Sequence, residues 1–167
     1  MSTTTSTTKS IDHVNGVDTT NTPETSCVVR RTFRATPAAV FHAWTDPAFA
    51  TRWAWGSKHE TVSVSIDCRV GGVWKHEIQT RGGGETWSFE GHFREVVPGK
   101  RLVHTFFWRS GKGEVEGPSL VTIDFNAVAA GTEVVITHVG LPLAKRQSTN
   151  DGWIDVAACV ERSMQGE

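Results

Sequence analysis

The sequence predicts an α+β fold: a curved antiparallel sheet of six to seven strands around a long C-terminal helix, with two short helices after the first strand. Three observations predict it. From residue 60 to 138, runs of alternating apolar and polar residues recur between Gly and Pro turns, the pattern of strands with one covered and one wet face. Two helix starts, Thr36-Pro37 and Asp46-Pro47, follow the first β-branched run, each with a capping side chain before a Pro at the first helical position. Near the end, Trp153, Ala157, Val160 and Met164 fall on one face of a helix.

The elements follow in order. Residues 1–25 are rich in Ser, Thr, Asn and Asp and carry almost no large apolar side chains. Too little surface is there to bury against the entropy of ordering, so this segment is expected as a disordered tail and residues 26–167 as the folded domain. Cys27-Val-Val-Arg-Arg-Thr-Phe-Arg34 reads as a strand. Val40, Phe41 and Trp44 at helical spacing predict a helix over 37–45, and Phe49 and Trp53 are expected inward on a second over 47–53. Glu60–Asp67 alternates, with Val62, Val64 and Ile66 expected on one face. After Gly71-Gly72, Trp74, His76 and Ile78 alternate with Lys75, Glu77 and Gln79. After the Gly82–Gly84 turn, Trp87, Phe89, Gly91 and Phe93 form the next inward face.

Leu102–Trp108 is apolar on both faces apart from His104 and Thr105, so it is expected as a central or doubly covered strand. A polar loop is expected over 109–117. Val121, Ile123 and Phe125, then Val134, Ile136 and His138, complete the pattern, and short turns make the whole an antiparallel meander. Thr149, Asn150 or Asp151 is the expected cap of the last helix, unless it starts earlier, near Ala144.

At 167 residues the chain suits one domain, and 38% hydrophobic with 21% charged residues suits a globular core. A formal net charge of -1 offers no basic field for phosphate, so nucleic acid is an unexpected partner. The three cysteines, Cys27, Cys68 and Cys159, are far apart and odd in number; they read as small buried hydrophobes in a reducing compartment. The polar start predicts no secretory signal, and no run approaches the ~18 apolar residues of a membrane span, so a cytoplasmic protein is expected.

A twisted sheet of this length curls, and a terminal helix laid on its concave face leaves a natural apolar cavity. Its expected walls, the candidate ligand-binding residues, are the inward positions of successive strands: Trp74 and His76, Trp87 and Phe89, His104, Phe106 and Trp108, Ile123 and Phe125, then Ile136 and His138. Trp153 would face them from the helix, and Trp55 is a candidate for the cavity mouth. With seven Trp, eight Phe and no Tyr, such walls offer flat apolar area and indole N–H groups, which suits a planar aromatic or polyketide-like ligand.

At these residues the sequence resembles a known family. Trp44-Thr-Asp-Pro47, Asp67-Cys-Arg-Val-Gly-Gly72, Gly91-His-Phe-Arg-Glu95, Gly131-Thr132 through His138, and Gly152-Trp153 together are similar to the START-like (SRPBCC) superfamily, in the branch named for the C-terminal domain of the Hsp90 ATPase activator. The resemblance covers about residues 27–164. It implies a helix-grip fold of the START and Bet v 1 type with a deep hydrophobic pocket. Members range from lipid and polyketide binders to aromatase/cyclases and cochaperone-like modules, so the resemblance supports a pocket better than a reaction. One departure stands out: the run after Gly152-Trp153 is Ile-Asp-Val-Ala-Ala-Cys-Val rather than leucine-rich. Smaller residues around Ala157 and Ala158 either leave room under the helix or let it pack closer.

Three histidines are expected inward. His76, His104 and His138 sit on alternate strands, roughly 10 Å apart at ~4.8 Å per strand, whereas zinc–imidazole bonds are only ~2 Å. No metal site and no cofactor is therefore expected. The plainer reading satisfies each imidazole with a neighbouring hydroxyl or backbone group; the sharper one makes His104 or His138 a polar anchor or general acid/base. Asp67 is expected to bond turn N–H groups, Glu95 to be structural, and Glu90 and Asp124 to be solvated. Ser119 and Ser163 lack G-x-S-x-G context, and no Gly-rich phosphate loop precedes a helix. The expected function is binding of a small hydrophobic or aromatic molecule. The alternatives are a cyclase, dehydratase or lyase using a pocket histidine, and a chaperone-linked interaction module. The last rests on the family name alone, because no exposed apolar patch is legible.

Overall fold

A computed structural model describes residues 13–14, 17–18, 25–53 and 55–166. The tail expected over residues 1–25 lies largely outside the described residues; within it, β1 (His13–Val14) and β2 (Val17–Asp18) pair antiparallel.

The first β-branched run forms β3 (Cys27–Phe33). Two helices follow where the start signals stand. The Thr36 hydroxyl accepts the Ala39 N–H at 3.3 Å and caps α1 (Pro37–Thr45). The Asp46 carboxylate accepts the Ala48 and Phe49 N–H groups at 2.9 and 3.2 Å and caps α2 (Pro47–Trp53). Trp53 is buried as expected and its indole donates to the Ala43 carbonyl. Phe49 is only half buried, its ring covered by the Arg52 guanidinium and the His42 ring.

The meander comprises β4 (His59–Ile66), β5 (Val73–Thr80), β6 (Thr86–Val97), β7 (Arg101–Ser110), β8 (Val115–Val128) and β9 (Gly131–Val139). The sheet order is β3-β9-β8-β7-β6-β5-β4, all antiparallel, so the first long strand closes against the last and β7 is central. A 3₁₀ turn (Leu143–Lys145) leads into α3 (Arg146–Met164), whose buried side presents Trp153, Val156, Ala157, Cys159, Val160 and Ser163. This is the helix-grip architecture. Glycine is required at Gly91: a Cβ there would stand 2.0 Å from the Thr105 carbonyl and 2.8 Å from the Trp74 indole nitrogen. The vacant volume lets that indole donate to the Thr105 carbonyl at 3.3 Å.

Four local expectations are corrected. Val62 does not share a face with Val64 and Ile66; the β4–β5 register shifts between Thr61 and Ser63, and the bulge turns Val62 out to 50% exposure. The loop expected over 109–117 is only a four-residue turn, because β7 and β8 extend as a hairpin with polar residues on its outer face. Thr149, Asn150 and Asp151 do not cap α3 but lie within it, because the helix takes the earlier of the two expected starts, at Arg146 after the 3₁₀ turn from Leu143. The Asp67 carboxylate holds Arg69 at 2.8 Å rather than turn N–H groups.

Candidate functional site

The inward faces of the central strands change character halfway along. At the end covered by α1 and α2 they are closely packed around a space no larger than a water: Phe93, Leu102, Ile123, Phe125, Val134 and Ile136 are buried with Val40, Trp44 and Trp53. At the other end, beneath the first half of α3, they border a cavity of about 700 Å³. That volume lies within the range of small-molecule pockets. Trp87 and Phe89 of β6, Phe106 and Trp108 of β7, Trp55 from the α2–β4 turn and Trp153 of α3 supply its aromatic wall. The exposed Glu85, Lys145 and Ser148 line it where it meets solvent.

The expected wall residues thus divide. Trp87, Phe89, Phe106, Trp108, His138 and Trp153 line the large cavity. Ile123, Phe125 and Ile136 belong to the packed core and not to a wall. Trp74, His76 and His104 line a second, water-sized space of about 20 Å³. Apart from Trp153 on α3, what separates them is distance along the strand from the helices.

Trp55 stands between the two spaces and lines both. It takes a left-handed φ of 53°, rare for a bulky residue, and Gly56 follows at 115°. The turn drives the Trp55 ring inward, 4.7 Å from Phe89, 5.0 Å from Trp153 and stacked 5.9 Å from Trp74. Asp155 of α3 ties the turn down, accepting the Ser57 N–H at 2.8 Å. Trp55 is therefore an inner partition and not a mouth residue. Ala157 and Ala158 do not line the cavity; Ala157 sits in the core cluster and Ala158 is half buried outside it. The room lies earlier on the helix, from Ser148 to Val156.

The three inward histidines have three different environments. His138 is fully satisfied. The Trp153 indole N–H donates to His138 Nδ1 at 3.0 Å, and His138 Nε2 lies 2.6 Å from Ser119 Oγ. An indole nitrogen only donates, so Nδ1 must accept and the neutral ring carries its proton on Nε2. Ser119 therefore accepts from His138 and donates onward to the Phe106 carbonyl at 3.4 Å. Burial pushes His138 down to about 3, with the nearby His104 adding to the effect.

His104 donates through Nδ1 to the Thr105 carbonyl at 2.9 Å; burial holds it down at about 4 against that bond. His76 makes no hydrogen bond among the described residues. Its ring sits 5.0, 5.5 and 5.7 Å from the rings of Trp53, Trp55 and Trp74, and its Nδ1 is enclosed without a partner, as is Trp55 Nε1. Burial pushes it down to about 3. Among the described residues, no group of three His, Cys, Asp or Glu side chains is arranged to hold a metal ion.

This geometry bears on acid–base chemistry. A serine beside a histidine invites comparison with a nucleophile–base pair, but the tautomer is reversed: the proton on Nε2 points at Ser119, so His138 has no lone pair with which to take the serine proton. His104 lies behind the Trp55 partition, outside the large cavity. Ser119, which has no nucleophile motif in the sequence, is a polar wall residue instead; its place on the inward face with Val121, Ile123 and Phe125 was the available signal.

Comparison with known proteins agrees with this architecture. The family model described as Activator of Hsp90 ATPase homolog 1-like protein matches residues 34–159. A crystal structure of a Chromobacterium violaceum protein is similar at 24% identity and a TM-score of 0.71, covering 83% of this chain and 96% of that one. A Silicibacter pomeroyi protein, whose structure is described as AHSA1, is similar at 19% identity and a TM-score of 0.74, covering 84% and 97%. A solution structure of an AHSA1-like protein from Aeromonas hydrophila is similar at 23% identity and a TM-score of 0.69, covering 84% and 92%. At these identities the likeness speaks for the fold alone. No curated protein matches the sequence.

Proposed function

The chain belongs to the Activator of Hsp90 ATPase homolog 1-like family, and from that premise we propose that it binds a small, flat, hydrophobic molecule between its sheet and the first half of α3. The observation that carries this reading is the cavity of about 700 Å³ walled by Trp55, Trp87, Phe89, Phe106, Trp108 and Trp153. Rings placed around an open volume leave their faces unpacked, and a planar aromatic guest fills them at small entropic cost. A flexible fatty chain uses those faces less well.

Binding rather than turnover is favoured by the histidines, since His138 is spent on Trp153 and Ser119. The large exposed hydrophobics, such as Val28, Val62, Val70, Val115, Val128, Leu143 and Ile154, are spread over strands, turns and α3, which gives the interaction-module reading little support. No helix among the described residues is long and apolar enough to cross a membrane. Three free cysteines, with Cys27 and Cys159 buried, accord with a reducing, cytoplasmic setting.

Titration of the intrinsic tryptophan fluorescence with planar tricyclic aromatics and with fatty acids tests the proposal. Saturable quenching or a band shift with the aromatics is expected. A spectrum unmoved by the whole panel would end it.

A further inference from the structure

Within the aromatic wall one side chain is set up to recognise a ligand atom. Ser119 lines the cavity and is 5% exposed, on the inward face of β8. Its oxygen accepts from His138 Nε2 at 2.6 Å, a short contact. A hydroxyl oxygen that accepts a strong hydrogen bond becomes a better donor, because the chain polarises in one direction. Here the direction is set at its far end: the Trp153 indole can only donate, so proton order runs from Trp153 through His138 to Ser119. The Ser119 proton has a poor outlet. Its acceptor, the Phe106 carbonyl, is 3.4 Å away, well beyond the ~2.7–2.8 Å of a typical O–H···O bond. The result is a polarised, weakly engaged donor beside the Phe106 and Trp153 rings, whereas the exposed Glu85, Lys145 and Ser148 line the cavity where it meets solvent.

Resting on the reading of this space as a ligand cavity, we infer that Ser119 is its specificity-determining donor, and that the preferred guest is an aromatic ketone or quinone whose carbonyl oxygen takes the Ser119 proton from the Phe106 carbonyl. The class follows from the chemistry. The hydroxyl hydrogen is the group left to offer, so the guest must bring an acceptor. His138 is buried and neutral and adds no positive charge, so the acceptor need not be an anion. The neighbouring Phe89, Phe106 and Trp153 faces require the rest of the guest to be flat and apolar.

Fluorene and 9-fluorenone share one tricyclic frame and differ by a single carbonyl, so calorimetric titration of both into the full chain isolates the contact. The wild type is expected to bind fluorenone about fivefold more tightly than fluorene, the worth of about one neutral hydrogen bond. In Ser119→Ala that preference should vanish while fluorene affinity stays within about twofold, since area burial is unchanged. Infrared spectroscopy of fluorenone bound to the wild type gives a reading that needs no variant: the carbonyl stretch should fall below its value in cyclohexane. A preference that survives in Ser119→Ala, equal affinities in the wild type, or an unshifted carbonyl stretch would overturn the assignment. Binding of neither compound would instead remove the cavity reading, and the Ser119 role with it.

Discussion

Along β6, β7, β8 and β9 the same inward face meets close packing at one end and open space at the other. On β8, Ile123 and Phe125 are buried in the core while Ser119 borders the cavity; on β9, Ile136 is packed and His138 faces the hollow. The helices cause the difference. α1 and α2 press Val40, Trp44 and Trp53 into one end, whereas the other is covered by the start of α3, where Ser148, Thr149 and Gly152 supply little bulk. The two ends also treat their histidines differently. His76, beside the packed end, has an enclosed and unpartnered Nδ1, while both nitrogens of His138 are bonded. The hollow end therefore holds its histidine in a defined network, whereas the unsatisfied nitrogens, His76 Nδ1 and Trp55 Nε1, lie at the packed end and at the partition between the two.

The largest expected effect is on acid stability, which both ends share. His76, His104 and His138 are held below their ordinary value of 6.5, to about 3, 4 and 3, chiefly by burial. Below pH 6.5 the unfolded chain therefore binds protons that the folded chain refuses. These groups cost nothing above about pH 6.5, and stability is lost as the pH falls toward the folded-state values, by up to about 1.4 kcal/mol per pH unit for each histidine. Circular dichroism against pH should show early acid unfolding, with a flatter curve for His76→Phe. An unchanged curve for that variant would mean that His76 titrates freely.

Next comes side-chain truncation at the two ends. Trp53→Ala should cost about 3–5 kcal/mol in urea unfolding, because it empties the packed end and frees the Ala43 carbonyl. Trp108→Ala should cost less than about 2 kcal/mol, since that ring is half exposed and already borders empty space. Equal costs would erase the contrast between the ends.

The histidines sharpen it further. His138→Phe strands the Trp153 N–H and the Ser119 hydroxyl, for a loss of about 2 kcal/mol. His76→Phe removes an unpartnered polar atom and should be neutral or stabilising by up to about 1 kcal/mol. The reverse order of these two in chemical denaturation would contradict the assigned hydrogen bonds. Smallest is Lys145→Ala at the mouth. Its ammonium pairs with Glu116 at 3.6 Å and lies 5.7 Å from the centre of the Trp108 ring, both partly exposed, so a loss below about 1 kcal/mol is expected by thermal unfolding.

Most of the sheet was legible because its signals are local. Alternation from Trp74 to Ile78 and from Val121 to Phe125 states which side chains share a face, and Thr36-Pro37 and Asp46-Pro47 state where helices begin. Val62 escaped because a bulge inserts a residue without interrupting the β-branched run. The start of α3 was legible only as an alternative, near Ala144, because Arg146–Asp151 is polar and carries no apolar stripe to decide between that and a cap at Thr149–Asp151.

The sequence by itself determined the order of the strands' faces and the two capped helices, which depend on neighbours within a few residues, and the family resemblance and aromatic wealth, which are carried by motifs and composition along the chain. Only the tertiary structure decided which inward residues are core and which are wall. That depends on how far along each strand the helices press, a distance no spacing records. The roles of His76, His104 and His138 were decided there too. A histidine's chemistry is set by what its two nitrogens meet, and Trp153 and Ser119 come to His138 from 15 and 19 residues away through the fold.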